Sequence, residues 1–299
     1  MRNLPEWAWA LALPASFVML WSTGFIGARL GLPYIEPMTF LAIRMLLATG
    51  LLFAVALLTH APWPGSARAV AHTAIAGLLV HGCYLGGVFW AIDRGQAAGV
   101  TAIFVALQPL LTATLAGPLL GERVSRGQWL GLLLGFAGVS LVVSSRLQEG
   151  TAGSATLIST TVALLGITLG TLYQKRFCPV TDLRTGGAIQ FAATGLVFTG
   201  IAAATETGRI TWTGELVFAL AWLVLVLSVG AIGLLFLLIQ HGAASRVAAL
   251  FYLAPPLTVV MAWGLFDERL APSALAGLVV VVIGVALVQR ARPAPAAQG

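Results

Sequence analysis

Charge is what this sequence has least of. Asp, Glu, Lys and Arg make up only 9% of its 299 residues, against roughly a quarter in a soluble domain. Apolar residues make up 59% and the mean hydropathy is +0.96. Water cannot solvate a compact particle with so few surface charges, which excludes a soluble enzyme, a nucleic-acid-binding module and a disordered chain. Lysine is almost missing too: 15 of the 16 cations are Arg. The two cysteines, Cys83 and Cys178, form no C-x-x-C and are too few for a metal cluster, so they carry no redox or metal reading. There is no G-x-x-x-x-G-K-[ST] phosphate loop and no hydrolase or metal-ligand spacing. Neither a cofactor nor catalysis is expected.

What remains is a series of long apolar runs. They fall at 8–28, 37–58, 69–91, 97–118, 128–145, 155–174, 186–205, 216–240, 243–265 and 273–289. Each is long enough to cross ~30 Å of hydrocarbon as a helix. The punctuators between them include Leu32-Pro33, Ala61-Pro62-Trp63-Pro64-Gly65 and Gly121-Glu122-Arg123. No loop could hold a soluble domain. The expected fold is an all-α polytopic membrane protein with ten transmembrane helices. The run from Ala8 is too long for a cleaved leader and lacks an A-x-A exit, so it is expected to be a mature helix.

Orientation follows from the basic residues. With the N-terminus inside, the inner loops hold Arg2, Arg68, Arg123, Arg126, Lys175, Arg176, Arg184, Arg246, Arg290 and Arg292, and the outer ones Arg29, Arg94, Arg146, Arg209 and Arg269. Ten against five predicts that both termini are cytoplasmic. The basic pI of about 10.1 is accounted for by this topology, so no nucleic-acid partner is expected.

Shifted by 146 residues, the sequence matches itself. Residues 97–142 align without a gap to 243–288 with 17 identities in 46 positions, among them Pro109/Pro255, Thr112/Thr258, Glu122/Glu268, Arg123/Arg269, Gly131/Gly277 and Gly138/Gly284. Composition alone would give about five. The same offset pairs Gly24 with Gly170, Arg29 with Lys175, and Ile43-Arg44 with Ile189-Gln190. The offset spans five helices, an odd number, so the second copy starts on the opposite side of the bilayer. The expected domains are residues 1–149 and 150–299, two inverted-topology five-helix repeats around a central cavity. Such a duplication lets two equivalent halves exchange which side is open, which favours transport over a passive scaffold.

Several residues are candidates for the pathway. Pro109 and Pro255 fall near the middle of their runs and would free the carbonyls of Val105 and Phe251, with Pro256 adding Tyr252. They read as paired hinges, a packing kink being the competing reading. His81 and Tyr84 lie one turn apart on one face and can donate and accept hydrogen bonds to a zwitterionic or aromatic solute; a buried neutral imidazole on a carbonyl competes. Trp21 and Gly24 in the first span, Tyr173 in the sixth, and Gln108 and Tyr252 beside the prolines complete the expected substrate-binding set. Tyr173 could equally belong to an interfacial belt, and Gln108 and Tyr252 could serve plain interhelical bonds. Arg44 is the one cation inside a span; an Arg held by carbonyls is preferred there over a carboxylate-binding role. All ten acidic residues read as loop or terminal positions, leaving no midplane carboxylate for a proton relay.

The Gly-Glu-Arg-Val-Ser turn followed by Leu-Gly-Leu-Leu-Leu-Gly-Phe-Ala-Gly-Val, with its twin Phe266-Asp267-Glu268-Arg269 followed by Gly277 and Gly284, resembles the EamA-type domain. Two such domains resemble the drug/metabolite transporter superfamily over nearly the whole chain. His81, Tyr84 and Trp21-Ser22-Thr23-Gly24 further resemble its exporters of aromatic and other amino acids. The resemblance implies a basket-like bundle with a central substrate cavity and the fifth and tenth helices peripheral. The expectation is thus a monomeric alternating-access exporter of amino acids, acting by facilitated transport. Alternatives are a multidrug or other metabolite carrier of the same superfamily, and a passive channel. The missing midplane carboxylate departs from small multidrug members of the superfamily.

Overall fold

The computed structural model describes residues 6–96, 101, 104–144, 153–266 and 272–291. The boundary expected at 149/150, the twin pair Glu268-Arg269, and Arg2, Arg146 and Arg292 lie outside these residues. The described chain is helical apart from its loops and one isolated bridge between Ile35 and Ile210. Helix α1 is Glu6–Gly31, α2 Pro37–Leu58, α3 Ala67–Asp93, α4 Gln108–Leu120 and α5 Arg126–Ser144. Then come α6 Ser154–Phe177, α7 Leu183–Thr205, α8 Gly214–His241, α9 over 244–266 and α10 Pro272–Arg290. Among the described residues six helices, α2, α3, α6, α7, α8 and α10, are long and apolar enough to cross a membrane.

The bundle is apolar outside and encloses polar side chains within its core. Leu46, Leu47, Phe53 and Leu57 of α2 and Val279, Val282 and Ile283 of α10 are exposed, while Ser22, Arg44, His81, Gln108, Gln174, Gln190 and Ser228 are buried. That inversion suits hydrocarbon as the surrounding solvent and marks a multi-pass membrane protein. Hydrocarbon gives apolar helix faces little reason to associate, so close packing of small residues must hold them together.

The most extensive pairings are α5 with α10, α3 with α6 and α2 with α7. In the first, a Cβ on Gly131 would lie 2.6 Å from the Gly284 carbonyl, and one on Gly277 would lie 2.6 Å from that of Gly138. Only hydrogen fits at this crossing. The α2–α7 pair is tied at both ends. At one end the Glu206 carboxylate accepts from the backbone N–H groups of Met38 and Thr39, at 2.7 Å each, capping the start of α2. Glu36 in turn accepts from the Thr207 N–H at 3.0 Å. At the other end Arg184 donates to Thr59, and Thr185 to the Pro62 carbonyl.

The prolines depart from the sequence expectation of continuous kinked helices. Pro109 sits in the first turn of α4 after a turn at Ala106-Leu107, and α9 is broken into Ala244–Leu250, a 3-10 turn Phe251–Leu253, and Ala254–Phe266. A proline needs no N–H donor in a first turn, so breaking the helix just before it is cheaper than straining a continuous one. Phe251, whose carbonyl Pro255 leaves without its usual donor, accepts from the Ala254 N–H instead.

Two predictions follow from this packing. Gly284→Val should cost ~3 kcal/mol or more of stability, through overpacking against backbone, whereas Gly50→Ala, with nothing within 4 Å of its Cβ, should be silent in a thermal melt. The Glu36 carboxyl lies below its usual 4.5, chiefly because the Thr207 backbone N–H bonds its charged form. A depressed carboxyl stabilises above its unfolded pKa and loses that contribution as pH falls through the folded one. Acidification from pH 5 downward should therefore loosen this loop tie in the native chain and not in Glu36→Gln, as read by backbone hydrogen exchange at Thr207.

Candidate functional site

Two short stretches interrupt the regular helices beside buried polar side chains. In α3, Leu78–Cys83 widens into a π-helix, and in α8, Leu223–Ala231 does the same. A π-stretch leaves carbonyls offset and turns side chains away from the helical face they would otherwise hold, and is frequent at functional sites. His81 lies in the first and Leu227 and Ser228 in the second. The hydroxyl of Ser228 donates to the Leu223 carbonyl at 3.1 Å, five residues back.

Between these stretches lies a cavity of about 60 Å³, bounded by Trp21, Gly24, Leu32, Arg44, His81, Tyr84, Phe89, Leu227 and Ile232 among others. Its volume would hold roughly two waters at ~30 Å³ each, well short of the ~300 Å³ at which small-molecule sites begin. It is closed. Trp21 stacks on Tyr84 with ring centroids 6.4 Å apart and planes 13° apart, and meets Phe251 edge-on at 5.0 Å. His81 is buried against the Phe191 ring at 4.8 Å, and its Nε2 has no hydrogen-bond partner among the described residues. Gly24 faces the Leu227 side chain, which a Cβ would displace.

The structure thus brings together four of the residues expected from sequence: Trp21, Gly24, His81 and Tyr84. Tyr173 lies elsewhere, in a cluster where its hydroxyl meets His72 Nδ1 at 2.6 Å and His72 stacks on Phe177 at 4.8 Å. Gln108 and Tyr252 are fully buried outside this cavity, Tyr252 packing against Gly135 of α5. Both Gln108 side-chain polar atoms, the Thr112 hydroxyl and the Tyr252 hydroxyl lack partners among the described residues. Arg44 does belong to the cavity, though the sequence argument leaned toward a carbonyl-bound role. Its Nε donates to Ser228 Oγ at 3.3 Å. Ser228 was not a sequence candidate, since a lone Ser in an apolar run carries no pattern.

A larger groove of about 1180 Å³ runs between α1, α8, α9 and α10, lined by Pro14, Val18, Leu237, Leu250, Leu253 and Leu278 among others, with Arg246 at one end. Its walls are aliphatic, so size alone does not make it the chemical site. It adjoins the cavity through the Trp21–Phe251 contact, since Leu250 and Leu253 flank Phe251.

A second polar cluster ties helix ends together. Gly121, at φ 70°, ends α4 in the left-handed conformation that glycine adopts without strain, and turns Glu122 toward α9. The Glu122 carboxylate accepts from the Ala244 N–H at 3.0 Å and pairs with Lys175 at 3.1 Å. Lys175 also donates to the Gly242 carbonyl. One end of α4, α6 and α9 is thereby latched.

The description of the EamA-like transporter family matches the chain twice, over residues 7–144 and 154–290. The chain belongs to the EamA-like transporter family. This EamA-like chain falls within the drug/metabolite transporter superfamily. It is similar to the uncharacterized transporter YvbV of Bacillus subtilis, with 30% identity over 96% of this chain and 93% of that one. It is 28% identical to the uncharacterized inner membrane transporter YedA of Escherichia coli, over 90% and 87%. Similarity at 23% identity, over 89% and 90%, extends to a Salmonella typhimurium protein named "Probable amino-acid metabolite efflux pump". A solved crystal structure shares the fold, with a TM-score of 0.76 and 19% identity over 94% and 96% of the two chains.

For the EamA-like chain, Trp21→Ala should cost ~3–5 kcal/mol by removing a large packed ring. Tyr173→Phe should cost only ~1 kcal/mol, the loss of one hydrogen bond. Thermal unfolding in one detergent checks both.

Proposed function

We propose that this protein exports amino acids and related small amphipathic metabolites by alternating access, with the solute held where Trp21, Gly24, His81 and Tyr84 converge. The observation that carries the reading is that convergence, on a cavity that helices of both sequence copies wall. Ring faces from Trp21 and Tyr84 suit an apolar side chain. The imidazole and phenol suit ammonium and carboxylate groups. The relatives named amino-acid metabolite efflux pumps point the same way.

The ten helical segments act as ten spans in two inverted copies, 1–149 and 150–299. Two details support this. The sequence twins are Gly131/Gly277 and Gly138/Gly284, yet the facing pairs are Gly131 with Gly284 and Gly138 with Gly277. Such an exchange of partners is what a two-fold axis between copies requires. The π-stretch 78–83, moved by 146 residues, becomes 224–229 and falls inside Leu223–Ala231.

Alternating access then needs places to bend and something to hold each state. Pro109 and Pro255, each at a helix break, serve as hinges of α4 and α9. Gln108, Thr112 and Tyr252 carry buried polar atoms without partners among the described residues, each costing ~1–3 kcal/mol. They meet water or solute when the broken helices swing, which makes them, with Tyr173, lining residues of another state. The Glu122–Lys175–Ala244 latch closes the cytoplasmic end. The protein is a monomer in the bacterial inner membrane with both termini cytoplasmic. Transport is facilitated, since no midplane carboxylate offers a proton relay.

Vesicles containing the purified protein should release loaded amino acids faster than protein-free vesicles, with saturation. Equal rates across a panel of amino acids would remove the transport reading, and very fast linear flux would indicate a pore. Glu122→Gln should change the rate by about twofold to tenfold, as loss of a charge-assisted bond implies, and leave the order of preference among amino acids intact. A reordered preference would mean that the latch shapes the binding site itself.

A further inference from the structure

Arg44 sits two turns into α2, is only 4% exposed and borders the cavity. A guanidinium carries five N–H donors. Only one of them, on Nε, meets a protein acceptor among the described residues, and that acceptor is the neutral Ser228 hydroxyl. No carboxylate among the described residues lies within ion-pair distance; the described pairs are those of Arg94, Lys175 and Arg184, all at helix ends or loops. A full positive charge is therefore buried in α2 without a counter-charge among the described residues, an arrangement that costs several kcal/mol and is kept for function. Its twin in the second copy is the neutral Gln190, whose Nε2 donates to Gln174 at 2.7 Å.

Resting on the reading of this cavity as the solute site, we propose that Arg44 is an anion seat and that the selected solutes carry one carboxylate. A single guanidinium neutralises a single negative charge. A phosphate dianion would leave a net negative charge buried, and a halide would leave the planar donor fork half used. A carboxylate matches the fork with two parallel hydrogen bonds. Its apolar remainder then lies against the Trp21 and Tyr84 rings, which stack beside the same cavity. Arg44 orients the solute, acid group toward α2 and α8, and Ser228 fixes the guanidinium in place.

The test uses the full chain in detergent at constant ionic strength, with phenylacetate and the neutral phenylacetamide as probes. Phenylacetate should raise the melting temperature at concentrations about tenfold or more below those at which the amide acts, as a charge-assisted bond implies. Arg44→Gln should abolish the preference while melting no lower than the native chain, because it removes an uncompensated charge. Arg44→Lys, which keeps the charge and loses the fork, should weaken the preference and provides a second variant if Arg44→Gln does not fold. Equal action of acid and amide, or an undiminished preference in Arg44→Gln, would overturn the seat. A matching response to chloride or phosphate alone would overturn the carboxylate assignment. Flux separates this proposal from the transport reading. A phenylacetate effect through Arg44 without amino-acid flux keeps the seat and removes transport. Equal saturable flux of phenylalanine and its amide keeps transport and removes the seat.

Discussion

Backbone hydrogen bonding in hydrocarbon governs this molecule. Away from water each N–H and C=O must be satisfied inside the protein, as helices and closed barrels do, and in this helical chain a departure from regular helix must be turned inward. The departures are few and they gather around the polar interior: two π-stretches, the 3-10 turn of α9 and the break before α4. Each places carbonyls or side chains where regular helices would have left an aliphatic wall. The two π-stretches bring His81 and Leu227 to the cavity, where regular helices supply Trp21, Tyr84 and Arg44.

Much of this was legible in the sequence because it depends on periodic or paired signals. Long apolar runs announce helices. The 146-residue self-match announces a duplication, and its glycines fall at the tightest helix crossing. Trp21, Gly24, His81 and Tyr84 stood out as polar or small residues inside apolar runs, and they do converge. The prolines announced a discontinuity, but not its form: whether a helix bends through a proline or breaks before it depends on which groups can take up the freed carbonyl.

The remainder depends on tertiary registration, which spacing does not encode. The π-stretch at Leu223–Ala231 lies in an almost unbroken aliphatic sequence and turns Ser228 toward Arg44. Arg44 reads from sequence as a charge hidden among carbonyls; only the packed bundle reveals that its partner is the Ser228 hydroxyl and that it borders the cavity. Tyr173 lies on α6, whose packing gives it to His72 and Phe177.

The crossing of α5 and α10 has an evolutionary corollary. Its paired glycines are seven residues apart on both helices, and each meets the opposite member of the other pair. Losing or gaining one residue between Gly131 and Gly138 would rotate one contact by about 100° around the helix and present a bulky side chain to its mate. The two halves are free to diverge in chemistry, as Arg44 and Gln190 have done, but they are bound to keep the same length through this stretch. Substitution, rather than insertion or deletion, is the route by which the descendants of such a gene can acquire new cargo.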